Sequence, residues 1–218
     1  MLEKRSINHI AARLTQPFLM AGIAGVGYHR LSVYSCLGAM GWHRHLDEDE
    51  VFLGHTGTLT LETSWGDVAL PPGHLIRIPK GLPHRSYAAA LALALLVQTD
   101  GLPNRRNGHQ PPSNPGSGRL GAVSVADQAA RLINVYHPRR LTVSDGLALS
   151  VQVCLGAQDW HRHDGEQLVL CYQGHIAVEA QGGQVTLAPG ELTLVEAGAF
   201  HRVVAAEPAT AVTMAEIL

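Results

Sequence analysis

Across residues 58–79, "TLTLETSWGDVALPPGHLIRIP", apolar and polar positions alternate in short runs. Thr58 to Leu61 alternate, Gly66-Asp67 reads as a turn, Val68 to Leu70 resumes, Pro71 to Gly73 turns again, and Leu75, Ile76 and Ile78 continue. A period of two bounded by glycine and proline predicts antiparallel strands joined by tight turns. Residues 175–198, "HIAVEAQGGQVTLAPGELTLVEAG", repeat the pattern with turns at Gly182-Gly183 and Pro189-Gly190. The alanine-rich run Ala88 to Val97 is helical by propensity but stands where a closing strand is needed, so a strand is predicted there. Pro, Gly and Asn crowd residues 101–121 and predict a linker, because a loop of that length is uncommon inside a compact domain. Residues 122–137 look helical, with Ser124 as cap and Ala126, Ala129, Ala130, Leu132 and Ile133 as one packing face.

The chain also repeats itself. Trp42 aligns with Trp160, Gly38 with Gly156, Cys36 with Cys154 and one His-Arg-His triplet with the other, all at an offset of 118. After one residue is lost from a turn, the offset of 117 matches Glu50 with Gln167, Gly57 with Gly174, Gly73 with Gly190 and His84-Arg85 with His201-Arg202. A set this long in one register predicts two copies of a small all-β unit.

The first copy carries a metal-ligand pattern. On a strand, His43 and His45 would share a face and send Trp42 and Arg44 to the other. Glu50 follows at the start of the next strand, and His84 arrives two turns later. Three imidazoles and a carboxylate suit a divalent transition metal, whereas a lone histidine is more often a surface or hydrogen-bonded core residue. Asp47, Glu48 and Asp49 read as solvated charges, with Asp49 the one substitute ligand. In the second copy, "WHRHDGEQLVLCYQG", the spacing to Gly174 selects Gln167 over its neighbour Glu166. Three arrangements stay open there: metal on His161, His163, Gln167 and His201; metal with Glu166 reaching in; or a metal-free polar pocket.

These residues resemble the cupin superfamily. His43, His45, Glu50 and Gly57 fit its first motif, with Gly38 one residue closer than usual, and Gly73, Pro79, Gly81 and His84 fit its second. In the second copy Glu196 stands where the motif has proline, while Gly198 and His201 are kept. The resemblance implies two cupin-type β-barrels (double-stranded β-helix or jelly roll) in tandem with a short linking helix. The corresponding domains are 1–100, a linker 101–121, and 122–218 with its leading helix. It also implies metal on His43, His45, Glu50 and His84, and on His161, His163, Gln167 and His201. Iron is the first expectation, with manganese, nickel or zinc as alternatives. The fold hosts many reactions. The expected function is an oxygenase acting on a chelating diol, enediol, diketone or aromatic. A non-oxidative isomerase, lyase or decarboxylase, or a binding module without catalysis, are the alternatives. His55 is a further candidate for orienting substrate.

Composition narrows the partners. With 218 residues and 46% hydrophobic content the chain can build one large core or two small ones. A net charge of -2 gives no electrostatic case for nucleic acid or an anionic membrane, and no run of residues approaches a membrane helix. The partner expected is a small-molecule substrate, with a homodimer plausible from exposed strand edges. Cys36, Cys154 and Cys171 lack the spacing of a disulfide framework or redox motif, which points to a reducing cytoplasm. Thirteen histidines are the unusual entry in the composition. The pairs Arg44/Arg162 and Arg85/Arg202 are expected to serve barrel-exterior packing or domain pairing and not chemistry.

Overall fold

The structure, a computed structural model, describes residues 2–102 and 118–217. Residues 103–117 of the expected linker lie outside the described residues. The first half runs β1 (Arg5–Ser6), α1 (Ile7–Ala11), β2 (Met20–Val26), β3 (His29–Ala39), β4 (Glu50–Thr56), β5 (Leu59–Thr63), β6 (Gly66–Leu70), β7 (His74–Ile78) and β8 (His84–Thr99). The second runs β9 (Val123–Ser124), α2 (Val125–Ala129), β10 (Arg139–Ser144), β11 (Leu147–Ala157), β12 (Gln167–Gln173), β13 (Ile176–Ala180), β14 (Gly183–Leu187), β15 (Glu191–Val195) and β16 (His201–Glu216). The fold is all-β and cupin-like, with two eight-stranded antiparallel sheets. Among the described residues no helix is long and apolar enough to cross a membrane.

The repeat extends to backbone detail. From β3 to β8 every strand has its counterpart in β11 to β16 with matching ends, and β1-α1 matches β9-α2. Positive φ follows it as well: Phe18 at 62° corresponds to Tyr136 at 58°, and Asp145 at 45° stands where the first half has Gly27 at 53°. Within the first sheet, β8 pairs with β3 along most of its length, with β4 over its second half and with β5 over its first. In the second sheet β16 does the same with β11, β12 and β13. The ladders trace an open path and do not close into a ring among the described residues.

Two compact units result. One comprises Ile10–Ile23 and Tyr28–Ser124; the other comprises Met1–His9, Ala24–Gly27 and Val125–Leu218. Each buries its own inward face, the first around Tyr34, Phe52, Leu61, Ile76 and Leu96. The second core gathers Cys154, Val169, Val178, Val195 and Ala211. All three cysteines are buried and free.

The alanine-rich run is strand, as its place in the repeat requires. Pairing with strands on both sides overrides alanine's helical propensity. The stretch 122–137 differs from the expectation. Val123 and Ser124 are drawn into pairing with His74 and Leu75, which leaves a helix of five residues. That helix ends in a tight turn, Leu132 N–H to Ala129 O at 2.9 Å, and Ile133 is 97% exposed instead of packed. The hairpin turns also sit a step earlier than the glycines suggested: β6 and β14 begin at Gly66 and Gly183.

Candidate metal centre

The His-Arg-His triplet does not lie on a regular strand, as expected from its alternation. It sits in the irregular connection between β3 and β4, pinned by backbone hydrogen bonds. His43 N–H donates to His84 O at 3.0 Å, and His84 N–H donates back to His43 O at 2.9 Å. Gly81 N–H then donates to His45 O at 2.6 Å. These bonds bring two ligands from one loop beside His84, the first residue of β8, and Glu50, the first of β4. The second unit repeats the device through His161, His201, Gly198 and His163.

In the first unit His43, His45, Glu50 and His84 are all buried, and one donor atom from each lies within 4.8 Å of every other. The direction of each ring is fixed from behind. His43 Nδ1 lies 2.9 Å from Gly41 O, and His84 Nδ1 lies 2.9 Å from Leu82 O. His45 Nδ1 lies 3.3 Å from Glu48 Oε1. Those oxygens only accept, so Nδ1 carries the hydrogen and the Nε2 lone pairs turn inward. There they meet another acceptor: Glu50 Oε2 lies 2.9 Å from His84 Nε2 and 3.3 Å from His45 Nε2. Converging lone pairs of one carboxylate and neutral imidazoles call for a cation, and the donor set fits a divalent transition metal.

The electrostatics agree. Burial pushes His43 down to about 4, with His84 beside it adding to the effect, so the ring is neutral and ready to coordinate. Burial alone would raise Glu50, but the close approach of His84 and the other imidazoles around it outweighs burial and holds the carboxyl at about 2. Gln98 Nε2 donates to the other oxygen, Glu50 Oε1, at 2.8 Å.

The second cluster brings together His161, His163 and His201, two of them half-buried. Gln167 reaches it, with Oε1 3.1 Å from His201 Nε2 and Nε2 3.1 Å from His163 Nε2. Glu166 turns elsewhere, its Oε2 accepting Gly27 N–H at 2.9 Å. The residue beside the histidines is therefore the one selected by spacing. His161 and His201 are oriented as in the first unit, through Nδ1 against Asp159 O and Ala199 O. Yet an amide has both donors and acceptors, so one amide orientation satisfies this cluster through hydrogen bonds alone. Burial lowers His163 and His201, each with help from neighbouring imidazoles.

Several flanking residues differ from their sequence reading. Glu48 and Asp49 are buried, not solvated. Glu48 holds His45 and also accepts Thr99 N–H at 2.9 Å. Asp49 is no substitute ligand, because its carboxylate accepts from Arg77 and from Lys80 N–H. Gln98 was missed, although it is the one amide in the apolar end of β8. His55 is not among the residues lining the cavity at the cluster. The repeated arginines do lie on the outside: Arg85 pairs with Glu62 and stacks near Trp42, and Arg202 pairs with Glu179 and stacks on Trp160.

Comparison with known proteins places the fold. Residues 155–216 match the family model described as Cupin domain. A comparison with curated proteins gives no significant match. Among solved structures, a Cupin 2 conserved barrel domain protein from Leptotrichia buccalis superposes with a TM-score of 0.77 at 12% identity, covering 99% of this chain and 96% of that one. A salicylate 1,2-dioxygenase from Pseudaminobacter salicylatoxidans gives 0.77 at 13% identity, covering 99% and 84%. A variant of that enzyme in complex with gentisate gives 0.78 at 12%, covering 99% and 82%. At such identities the likeness establishes a cupin fold and nothing finer.

Proposed function

We propose that the chain is a two-cupin protein whose first pocket is a metal-dependent oxygenase site for a small substrate that chelates through two neighbouring oxygens. The repeat supports a tandem of cupin domains, 1–100 and 122–218, joined through 101–121; the compact units follow that division except that residues 1–9 and 24–27 belong with the second half. One observation carries the metal reading. Three inward Nε2 atoms and a carboxylate converge, with every Nδ1 already committed to an acceptor behind it.

His43, His45, His84 and Glu50 would hold the ion, iron first, with manganese, nickel or zinc as alternatives. When bound, such an ion supplies a Lewis acid and, if redox-active, a route for dioxygen chemistry. The chain supplies the rest. Glu48 and the carbonyls of Gly41 and Leu82 orient the imidazoles, Gln98 fixes Glu50, and the apolar wall of Met20, Phe52 and Leu96 excludes water. A non-oxidative isomerase or lyase would need a proton carrier in the cavity. Apart from the ligands themselves, the titratable group in its lining is Tyr34, whose phenol burial holds above its usual range. That observation favours the oxygenase. The fold it shares with a salicylate 1,2-dioxygenase offers a precedent for such chemistry. His161, His163, Gln167 and His201 form a second, weaker metal site.

Anaerobic reconstitution with Fe(II), Mn(II), Ni(II) or Zn(II), followed by oxygen uptake over diols, diketones and hydroxylated aromatics, tests the reading. Uptake is expected with a redox-active ion and is lost in His84→Ala. Stoichiometric metal without uptake on any substrate would return the balance to the non-oxidative classes.

A further inference from the structure

In the first unit Tyr34, Met40, Phe52 and Leu96 line the space beside the cluster. Their counterparts in the second unit are Gln152, Gln158, Val169 and Thr213. Register extends the contrast. Phe52 pairs with Leu96 on one side and Ile76 on the other, an apolar row in the first core. The matching row of the second unit is Thr213, Val169 and Thr193. Residues directly opposite in a ladder share a face, and Val169 lies in the core, so both threonines face inward. The second interior has therefore lost side-chain volume and gained hydroxyls and amides.

Thr193 is wholly buried, and among the described residues its Oγ1 has no hydrogen-bond partner. A hydroxyl left that way is costly, and the other unit has isoleucine at the same position. Gln158 accepts Val203 N–H on Oε1 at 3.3 Å, which leaves its Nε2 to donate. His161 has its Nδ1 against Asp159 O, so in metal-free protein its Nε2 is an acceptor. Gln158 and His161 also line a cavity of about 330 Å³, together with Tyr136, His137 and Asp159. Small-molecule pockets start at about 300 Å³.

That lining holds one carboxylate, Asp159, and no lysine or arginine. An anion would meet the carboxylate with no cation to offset it. A cation would find its counter-charge at Asp159 alone, and nothing among the amides and hydroxyls behind it. A neutral ligand with several hydroxyls finds both kinds of partner: acceptors in His161 and Asp159, donors in Gln158 and Thr193.

The geometry points to a separate binding site in the second unit for a neutral polyhydroxylated compound, of sugar or polyol size, with Thr193 and Gln158 as specificity-determining residues. This site goes beyond the oxygenase reading and needs no metal.

Chelator-treated full-length protein is titrated by calorimetry with glucose, xylose and erythritol, and with glucuronate and glucosamine as charged counterparts. At least one neutral probe is expected to bind with a Kd of about 1 mM or tighter, and both charged probes about tenfold more weakly than it. Thr193→Val removes the hydroxyl and keeps the shape. It should weaken the best neutral probe by about tenfold and raise the melting temperature of the free protein by about a degree or more, because an unsatisfied hydroxyl has gone. Gln158→Met, which installs the first unit's residue, should weaken the probe by a similar factor. A hydroxyl that only holds a structural water would behave in the opposite way, with a lower melting temperature and unchanged affinity in Thr193→Val. That result, tighter binding of either charged probe, or no neutral probe binding below about 10 mM would overturn the inference. The metal reading of the first unit is decided by metal content and is untouched by any of these outcomes.

Discussion

Glu50 and His43 show how burial and coordination chemistry bear on one another. A buried carboxylate is ordinarily costly, but here three polar contacts surround it: the Nε2 atoms of His45 and His84 and the Gln98 amide. In metal-free protein this arrangement makes stability depend on acid. His43, with a folded value near 4 against an ordinary 6.5, binds its proton more readily when unfolded, so stability is lost as pH falls from about 6.5 to 4. Glu50, near 2 against 4.5, continues the loss in the same direction from about 4.5 to 2. Urea midpoints of chelator-treated protein between pH 7 and 3 should fall throughout, and His43→Ala should flatten the upper limb. A midpoint independent of pH above 4.5 would contradict the burial of a neutral His43. The ligands were legible in the sequence because their spacing is set by strands and turns that also leave glycine and proline behind. Glu48 was not, because four consecutive acidic residues, Asp47 to Glu50, offer no local sign of which ones fold inward.

The strands were legible for a different reason. Most carry one inward face, and the repeat supplied a second copy against which ambiguous stretches could be judged. That comparison recovered β8 from an alanine-rich run. It failed for 122–137, where two residues are committed to a sheet partner distant in sequence. Gln98 escaped notice because its role depends on register: it stands on β8 opposite Glu50 on β4, one step beyond the Val51–Val97 pair. Turns impose their own constraint, clearest at Gly57 and Gly174, which close β4 and β12. Both have positive φ, 67° and 74°. A Cβ at Gly57 would lie 2.6 Å from Leu91 O, and one at Gly174 would lie 2.9 Å from Ala209 Cβ. Backbone cannot yield there as a flexible side chain would. Gly57→Ala should therefore destabilise by about 2 kcal/mol or more, strain and clash together. Thermal melts read this directly; a shift under a degree or two would mean that the β4–β5 turn relaxes freely.

Two units with one backbone plan have diverged in the chemistry of their pockets. The first has Glu50, Gln98, Tyr34 and Ser86; the second has Gln167, Ala215, Gln152 and Val203 at the same positions. The first set leaves inward lone pairs that a cation satisfies, and the second contains an amide able to serve two histidines by itself. Replacing a carboxylate by an amide removes a full negative charge from the ligand set, so the second pocket should bind a divalent ion more weakly. The prediction is therefore an unequal pair of sites. After loading with Co(II) or Fe(II) and a limiting wash, elemental analysis should give about one metal per chain, lost in His43→Ala and retained in His161→Ala. Excess metal should fill a second site that dialysis removes first. Gln167→Glu should then bring the count under limiting-wash conditions to about two, because three oriented histidines are already in place and only the charge is missing. If Gln167→Glu leaves the count at one, the geometry of the second cluster, and not its charge, is what weakens it. If wild type retains two ions with equal tenacity, the amide is as good a ligand here as the carboxylate, and the distinction between the pockets has to rest on their walls alone.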